Sequence, residues 1–246
     1  LFAEWGNSLT YILSLELGAH REEVRAATEG LMGYVGQLIA DRRGAPRDDL
    51  VTDLVQATDE GDRLDDDELE ALIAALLFAG YDTTRNQLGH ALFTFAHHPE
   101  QWALLAEDPT MAEPAVEEVM RLHGAVAGVP RIAREELDVD GWRVPAGSFV
   151  FLACSSANRD DAAYDDPLRF DITATRVPHL TFGGGPHYCL GASLARAEIR
   201  ATMRQLVERL PDVELAGPVD RLHSDFVNGI KRMPIRFTPT TPTSED

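Results

Sequence analysis

A glycine-rich turn that carries one cysteine is the feature that most restricts how this 246-residue chain can fold. It runs from Phe182 to Gly191 and reads Phe-Gly-Gly-Gly-Pro-His-Tyr-Cys-Leu-Gly. A helical pattern begins near Gly191, and the positive end of a helix together with free backbone N–H groups stabilises a thiolate at Cys189. Glycines let the backbone approach a flat partner, because they carry no side chain that would block it. The pattern therefore predicts a ligating thiolate in a tight turn before a helix.

A ligating sulfur beside a flat partner indicates haem iron with an axial cysteine. The alternative is that Cys189 is a buried structural thiol, since cysteine is among the most buried residue types. A zinc site built from Cys189 and His187 lacks its remaining ligands. Cys154 lies in an apolar run and is expected to be strand packing, and two cysteines form no disulfide framework.

The pattern Phe-x-x-Gly-x-His-x-Cys-x-Gly resembles the haem-binding loop of the cytochrome P450 family in its soluble bacterial form. The resemblance implies a mainly α fold with a small β region and a bound haem b (heme b, iron protoporphyrin IX). On that match Cys189 is the axial ligand of the iron and the metal-binding residue. The match places further residues of the same stretch around the cofactor: Phe182, Gly183, His187 and Gly191.

The resemblance covers only the C-terminal part of that family's fold. The chain opens at Leu1 in mid-pattern, and the family's N-terminal helices and part of its sheet have no counterpart in the sequence. We expect residues 1–237 to form a partial cytochrome P450 haem domain and residues 238–246 to form a frayed polar tail. Two explanations stay open, a fragment of a longer protein and a truncated gene product.

A second motif, Ala79-Gly-Tyr-Asp-Thr-Thr84, lies in the middle of a long helical pattern. A glycine inside a helix costs about 1 kcal/mol relative to alanine, so Gly80 needs a reason. Thr83 follows three residues later on the same face, where its hydroxyl can open a polar groove in an apolar wall. The segment resembles the family's oxygen-activation segment, which gives Asp82 and Thr83 the role of a proton relay. The structural alternative is a solvent-facing Asp82 followed by two stiff threonines.

Glu118 and Arg121 are spaced i, i+3 and can form a charge-assisted pair on one helix. Such a pair is usually a surface feature, but its place between the two motifs matches the family's fold-locking pair. The family's third partner is an arginine four residues after the phenylalanine of the meander. Counted from Phe170, that position is Ala174, and we expect Arg176 as a substitute.

Arg131 follows Val129-Pro130 and matches the family's haem-propionate arginine, as His187 matches a second propionate contact. A buried dianionic edge needs fixed donors. The alternative for Arg131 is an exposed charge at a strand edge.

The resemblance also implies a hydrophobic substrate in a pocket lined by small or apolar residues. The residues predicted to line it are Phe78, Tyr81, Val126, Val129 and Val227.

These matches imply an oxidoreductase, a monooxygenase that uses haem iron to insert one oxygen atom from O2 into a hydrophobic small molecule. Electrons are expected from NAD(P)H through a ferredoxin-type donor with its reductase. A peroxide-driven haem-thiolate peroxygenase is the alternative, and Asp82 with Thr83 argues against it because peroxide needs no such proton relay. A truncated, non-catalytic haem-binding protein is the third interpretation.

The last helix carries a basic stripe formed by Arg196, Arg200 and Arg204. This stripe could dock an acidic ferredoxin, or its arginines could simply pair locally, for example Arg204 with Glu208.

The composition restricts the partners further. The net charge of −19 disfavours nucleic acid and anionic membranes, because both would repel the chain. The sequence has no apolar run of membrane-spanning length and no signal peptide at its start, so we expect a cytoplasmic protein with no membrane partner.

The element pattern is helical first and mixed later. Apolar spacing predicts a helix from Leu1 to about Asp41, a short helix capped by Asp48 or Asp49, and a turn at residues 59–61. A long helix with a capping box at Asp65 and Glu68 runs to His97. Later expectations are helices starting near Pro99 and Pro114, a hairpin at 137–144, a buried strand at 148–154, a meander at 158–178 and a final helix at 191–210.

Overall fold

The computed structural model describes residues 2–57, 64–222, 225–238 and 240. The chain forms two compact units, Leu1–Asp82 and Thr83–Asp246. The predicted fold class is confirmed, because the chain is mainly helical and its strands form only two-stranded pairs among the described residues.

The first unit is helical. Its helices are α1 (Phe2–Leu9), α2 (Arg21–Gly44), α3 (Leu50–Gln56) and the first half of α4 (Asp66–His97). Its core consists of apolar side chains at helical spacing on these elements, including Leu31, Val35, Ile39, Leu69 and Ile73.

The prediction of one continuous helix from Leu1 to Asp41 is wrong. A 3₁₀ turn at Thr10–Leu13 follows α1, and Ser14 is extended. The Ser14 hydroxyl accepts the backbone N–H of Glu16 at 3.0 Å. This local side-chain bond competes with the helix hydrogen bonds and separates α1 from α2.

Both predicted helix caps are confirmed. Asp49 caps α3, because its Oδ1 accepts the backbone N–H of Thr52 at 2.9 Å. Asp65 and Glu68 form the capping box of α4, with reciprocal backbone-to-carboxylate bonds of 2.8 and 3.1 Å. The turn predicted at residues 59–61 lies outside the described residues.

The second unit packs the end of α4 against α5 (Pro99–Glu107), α6 (Ala112–Leu122) and α8 (Ala192–Arg209). Pro99 is the first residue of α5 and Pro114 lies in the first turn of α6, as predicted. Completely buried side chains from all four helices form one core, among them Phe95, Leu105, Val119, Ile199 and Met203.

The strands lie between α6 and α8 and after α8. The predicted hairpin is confirmed: β2 (Leu137–Val139) pairs with β3 (Trp142–Val144) across Asp140 and Gly141, which have φ of 53° and 82°. Both values match the type I′ turn that an Asp-Gly pair favours. β1 (Val129–Ile132) pairs antiparallel with β4 (Phe149–Leu152).

The expectation of a buried strand at 148–154 is wrong in two respects. The strand ends at Leu152, and Cys154 begins the short helix α7 (Cys154–Ala157) instead of packing within a strand. Phe149 is 57% exposed, because the described part of this sheet has only two strands and leaves apolar side chains accessible.

Strand pairing and hydrogen bonds hold part of the C-terminal segment in place. Strands β5 (Glu214–Leu215) and β8 (Ile235–Arg236) pair, as do β6 (Asp220–Arg221) and β7 (Ile230–Arg232). The backbone N–H of Thr238 donates to Asp212 at 2.6 Å and that of Thr240 to the carbonyl of Arg209 at 3.0 Å. Thr238 and Thr240 of the predicted frayed tail are therefore anchored, and residues 239 and 241–246 lie outside the described part.

No helix within the described residues is long and apolar enough to cross a membrane.

Candidate functional site

The second unit contains a cavity of about 540 Å³. Its wall combines α4, the segment that leads into β1, the short helix α7, the cysteine turn and the start of α8. Most of the wall is apolar, and its polar side chains carry two thiols, threonine hydroxyls, one amide and two basic groups. The residues that carry these groups or the predicted roles are Thr83, Thr84, Gln87, Arg131, Cys154, Thr181, Phe182, Gly183, His187 and Cys189.

The cysteine turn is a tight loop that needs glycine at two positions. Gly183 and Gly185 have φ of 70° and 62°, a left-handed backbone that side chains disfavour. The loop closes where the N–H of Cys189 donates to the carbonyl of Phe182 at 2.9 Å. Cys189 is exposed and lines the cavity, and Gly191 lies at the cap of α8. The thiol is thus presented at the cavity wall just before a helix start.

The threonine motif reaches the same cavity from α4. Thr83 and Thr84 both line it. Asp82, the preceding residue of α4, is only 2% exposed, so the alternative of a solvent-facing Asp82 is excluded. A methyl group at Gly80 would meet no described atom within 4 Å, so close packing does not explain the glycine there.

Two basic side chains, Arg131 and His187, line the cavity. Arg131 lies on β1, is exposed and donates to the carbonyl of Pro130 at 2.8 Å. His187 ends the 3₁₀ turn Gly185–His187. The cavity wall fits a large flat cofactor that carries a metal and anionic groups. The thiol could bind the metal, the glycines let the backbone lie close to a flat ring, and the two basic groups could bind the anionic groups. Among the described residues no cluster of three or more His, Cys, Asp or Glu could hold a metal by itself.

Glu118 and Arg121 form a buried ion pair that ties α6 to the meander. Arg121 Nε and Nη2 donate to the Glu118 carboxylate at 2.7 and 2.8 Å. Arg121 Nη1 also donates to the carbonyls of Asn158 and Pro167. Arg176 Nε lies 3.2 Å from the same carboxylate, so it takes the place that the family pattern assigns to position 174.

The predicted substrate-pocket residues lie in different places. Val126 and Val129 line the large cavity. Val227 forms a β-bridge with Val126 and is 2% exposed. Phe78 and Tyr81 line a cavity of about 20 Å³ in the first unit.

Cys154 and Gln87 are among the cavity residues to which the sequence assigned no role in the site. Cys154 lines the cavity from α7, where burial raises the pKa of its thiol. Gln87 lies one turn after Thr83, and its side chain donates to the carbonyl of His123 and accepts the N–H of Ala125. The spacing of Gln87 from Thr83 was the available signal, because residues i and i+4 share a helix face.

The basic stripe on α8 makes contacts across to the preceding elements. Arg196 binds the carboxylate of Glu117 at 2.7 and 2.9 Å. Arg200 lies 3.5 Å from Glu113, and Arg204 donates to the carbonyl of Pro109 at 3.3 Å. The predicted local pairing is therefore present, but its partners are α6 and the turn before it, and not Glu208.

Similarity to known proteins covers nearly the whole chain. The family model described as Cytochrome P450 matches residues 2–233. Luteothin monooxygenase of Streptomyces thioluteus is 40% identical over 230 residues, which are 92% of this chain and 56% of that protein. Cytochrome P450 monooxygenase PikC of Streptomyces venezuelae is 38% identical over 220 residues, 87% of this chain and 53% of that protein.

The chain is also similar in fold to a solved structure. P450BioI in complex with hexadec-9Z-enoic acid ligated acyl carrier protein is 31% identical with a TM-score of 0.89, over 96% of this chain and 61% of that one. The chain spans little more than half the length of the curated relatives named above.

Proposed function

The chain belongs to the cytochrome P450 family, and from that membership we propose that it forms the haem-binding part of a monooxygenase. The proposed reaction inserts one oxygen atom from O2 into a hydrophobic small molecule. The observation that carries the proposal is the cavity that Cys189 and Thr83 both line. It gives one chamber a thiol suited to iron and a hydroxyl suited to proton transfer.

The proposed cofactor is haem b. When bound, its iron would supply the activation of dioxygen. Cys189 would donate its thiolate to the iron, and Phe182, Gly183 and Gly191 shape the turn that presents it. Arg131 and His187 would hold the propionates, because both are basic side chains at the cavity wall.

Proton delivery is assigned to Thr83 and Asp82. Reduction of O2 with insertion of one atom releases the other as water, which consumes two protons. Thr83 carries a hydroxyl proton at the cavity wall, and the buried Asp82 precedes it in α4. Peroxide would bring its own protons, so this pair favours O2 with a reductant over peroxide.

The proposed substrate is apolar, because most of the cavity wall is apolar. Val126 and Val129 belong to that wall, and Val227 supports Val126 from behind through their β-bridge. Phe78 and Tyr81 line the small cavity of the first unit, so the proposed substrate wall rests on Val126 and Val129 with Val227 behind them. The names of the relatives point to different substrates. The proposed substrate is therefore defined only as a hydrophobic small molecule.

The proposed electron donor is a ferredoxin-type protein that its reductase supplies from NAD(P)H. Arg200 and Arg204 follow the cysteine turn on α8, and Arg200 is partly exposed. A basic surface attracts an acidic donor and raises the rate of encounter.

Reversing the charge of Arg200 tests whether this surface docks the electron donor. Arg200→Glu should lower ferredoxin-dependent reduction roughly three- to tenfold at low salt, with little effect near 1 M salt where charges are screened. Stopped-flow reduction measures it, and Arg25→Glu in the first unit is the control. An unchanged rate at low salt would retire the docking surface.

Isotope labelling tests the reaction. The haem-loaded protein is supplied with NADPH, a plant-type ferredoxin and its reductase, ¹⁸O2, and hexadec-9-enoic acid within a panel of apolar probes. We expect a product with one ¹⁸O atom. Product formed from hydrogen peroxide alone, at an equal rate in Thr83→Ala, would favour the peroxygenase. A cysteinate-ligated haem without product from any probe would favour the non-catalytic haem-binding protein.

A further inference from the structure

The cysteine turn is held from outside by one guanidinium. Arg196 lies in the first turns of α8, and its Nη1 donates to the hydroxyl of Tyr188 at 3.0 Å. Its guanidinium carbon lies 4.4 Å from the centroid of the Phe182 ring. Tyr188 directly precedes Cys189, and the carbonyl of Phe182 accepts the N–H of Cys189. Arg196 therefore contacts both ends of the loop that presents the thiol.

A carboxylate fixes the guanidinium in turn. Glu117 on α6 accepts two parallel bonds from Arg196, at 2.7 Å from Nε and 2.9 Å from Nη2. Such a fork fixes the plane of the guanidinium as well as its position. Burial raises the pKa of Glu117, but the nearby His179 ring and the Arg196 guanidinium outweigh burial and lower this pKa to about 2. The carboxylate thus stays charged at neutral pH.

A histidine closes the arrangement on the other side. His179 Nδ1 accepts the backbone N–H of Thr181 at 3.2 Å, so the ring hydrogen of neutral His179 is on Nε2. That Nε2 lies 3.3 Å from Glu117 Oε2. The His179 ring centroid also lies 5.7 Å from that of Phe182. His179 therefore packs against both the Glu117 carboxylate and the aromatic ring at the start of the turn.

We propose that Arg196, oriented by Glu117, is a positioning residue that holds the Cys189 turn in its ligating conformation. The turn contains three successive glycines, which contribute no side chains to restrain it. Contacts from Arg196 to Phe182 and Tyr188 supply that restraint. The inference rests on the proposed haem-thiolate function, and it assigns to Arg196 a structural task that is separate from partner docking.

Arg196→Lys and Tyr188→Phe test the inference in the haem-loaded protein. Lysine keeps the charge but cannot form the fork, and phenylalanine removes only the hydroxyl that Arg196 binds. In the reduced, carbon-monoxide-bound state we expect the spectrum of thiolate ligation to decay roughly tenfold faster in Arg196→Lys, since one lost charge-assisted hydrogen bond is worth about a decade. In Tyr188→Phe we expect roughly threefold faster decay. Arg209→Lys, at the far end of α8, is the matched control and should decay at the wild-type rate.

The outcomes separate the positioning role from the proposed function. If Arg196→Lys fails to fold, Tyr188→Phe decides, because that side chain is half exposed and its ring is retained. Wild-type decay in Tyr188→Phe, and in Arg196→Lys where it folds, would overturn the positioning role. Equal acceleration in Arg209→Lys would overturn it as well, because the effect would then belong to the whole helix. A wild-type protein without thiolate ligation would instead overturn the proposed function.

Discussion

At the scale of single residues, the most consequential side chains are buried charges with defined partners. Arg121 is 2% exposed and Glu118 6%, and each would be costly to leave alone in the core. Their carboxylate and guanidinium hold α6 to the meander, which precedes the cysteine turn in the chain. The ion pair therefore supports the site indirectly, by stabilising the segment that leads into the cysteine turn.

Removing one charge of this pair should destabilise the protein strongly. Glu118→Gln leaves the guanidinium of Arg121 with a weaker partner, and we expect a loss of about 3–5 kcal/mol in the free energy of unfolding. Urea unfolding measures it. The control is Glu22→Gln, which breaks an exposed pair with Arg25 and should change the free energy of unfolding far less, because solvent screens an exposed pair. Equal effects of the two substitutions would contradict a locking role for Glu118.

The half-buried His123 predicts how stability responds to acid. Burial, followed by the nearby charges of Arg159 and His90, lowers the pKa of His123 to about 4 from an ordinary value near 6.5. The unfolded chain then binds the proton more readily than the folded one, so stability falls as the pH drops from 6.5 to 4. Above pH 6.5 this contribution is constant.

Unfolding at several pH values checks this prediction. We expect a loss on the order of 3 kcal/mol from His123 across that window, and a shallower decline in His123→Gln. His97→Gln, which alters an exposed histidine on α4, is the control and should keep the wild-type slope. An unchanged slope in His123→Gln would show that other groups cause the acid response.

At the scale of elements, the helices followed from the sequence more closely than the strands. The capping box at Asp65 and Glu68 and the Asp-Gly turn at 140–141 are local, so the residues themselves determine them. The break at Ser14 depends on one side-chain bond that competes with a helix, which apolar spacing does not reveal. The exposure of β4 depends on what covers a sheet, and an apolar run alone does not specify that.

Glycine at the entrance to β1 gives a prediction at this scale. A Cβ at Gly128 would collide with the carbonyl of Leu152 and the ring of Phe151, both on the paired strand β4. Gly128→Ala should therefore lower the melting temperature, with a loss of roughly 1–3 kcal/mol. Gly33→Ala is the control, because its Cβ would meet no described atom within 4 Å and alanine stabilises a helix interior by up to about 1 kcal/mol. Thermal unfolding should move in opposite directions for the two variants.

At the scale of the whole molecule, the sequence predicted which motifs exist, and the structure shows which of them share a chamber. Cys189, Thr83 and Arg131 are far apart in the chain, yet all three line one cavity. Arg176 was foreseen as the third partner of Glu118, because a neighbouring arginine can reach the same carboxylate. The network of Glu117, His179 and Arg196 was not foreseen, since no spacing pattern joins three residues from separate elements.

The central claim is that the sulfur of Cys189 ligates haem iron, and one spectrum tests it most directly. The reduced, carbon-monoxide-bound protein is compared with its Cys189→Ser variant, with Cys154→Ser as the matched control. We predict the strongly red-shifted main band of thiolate ligation in the wild type and in Cys154→Ser, and its absence in Cys189→Ser. The same red-shifted band in Cys189→Ser would contradict the account.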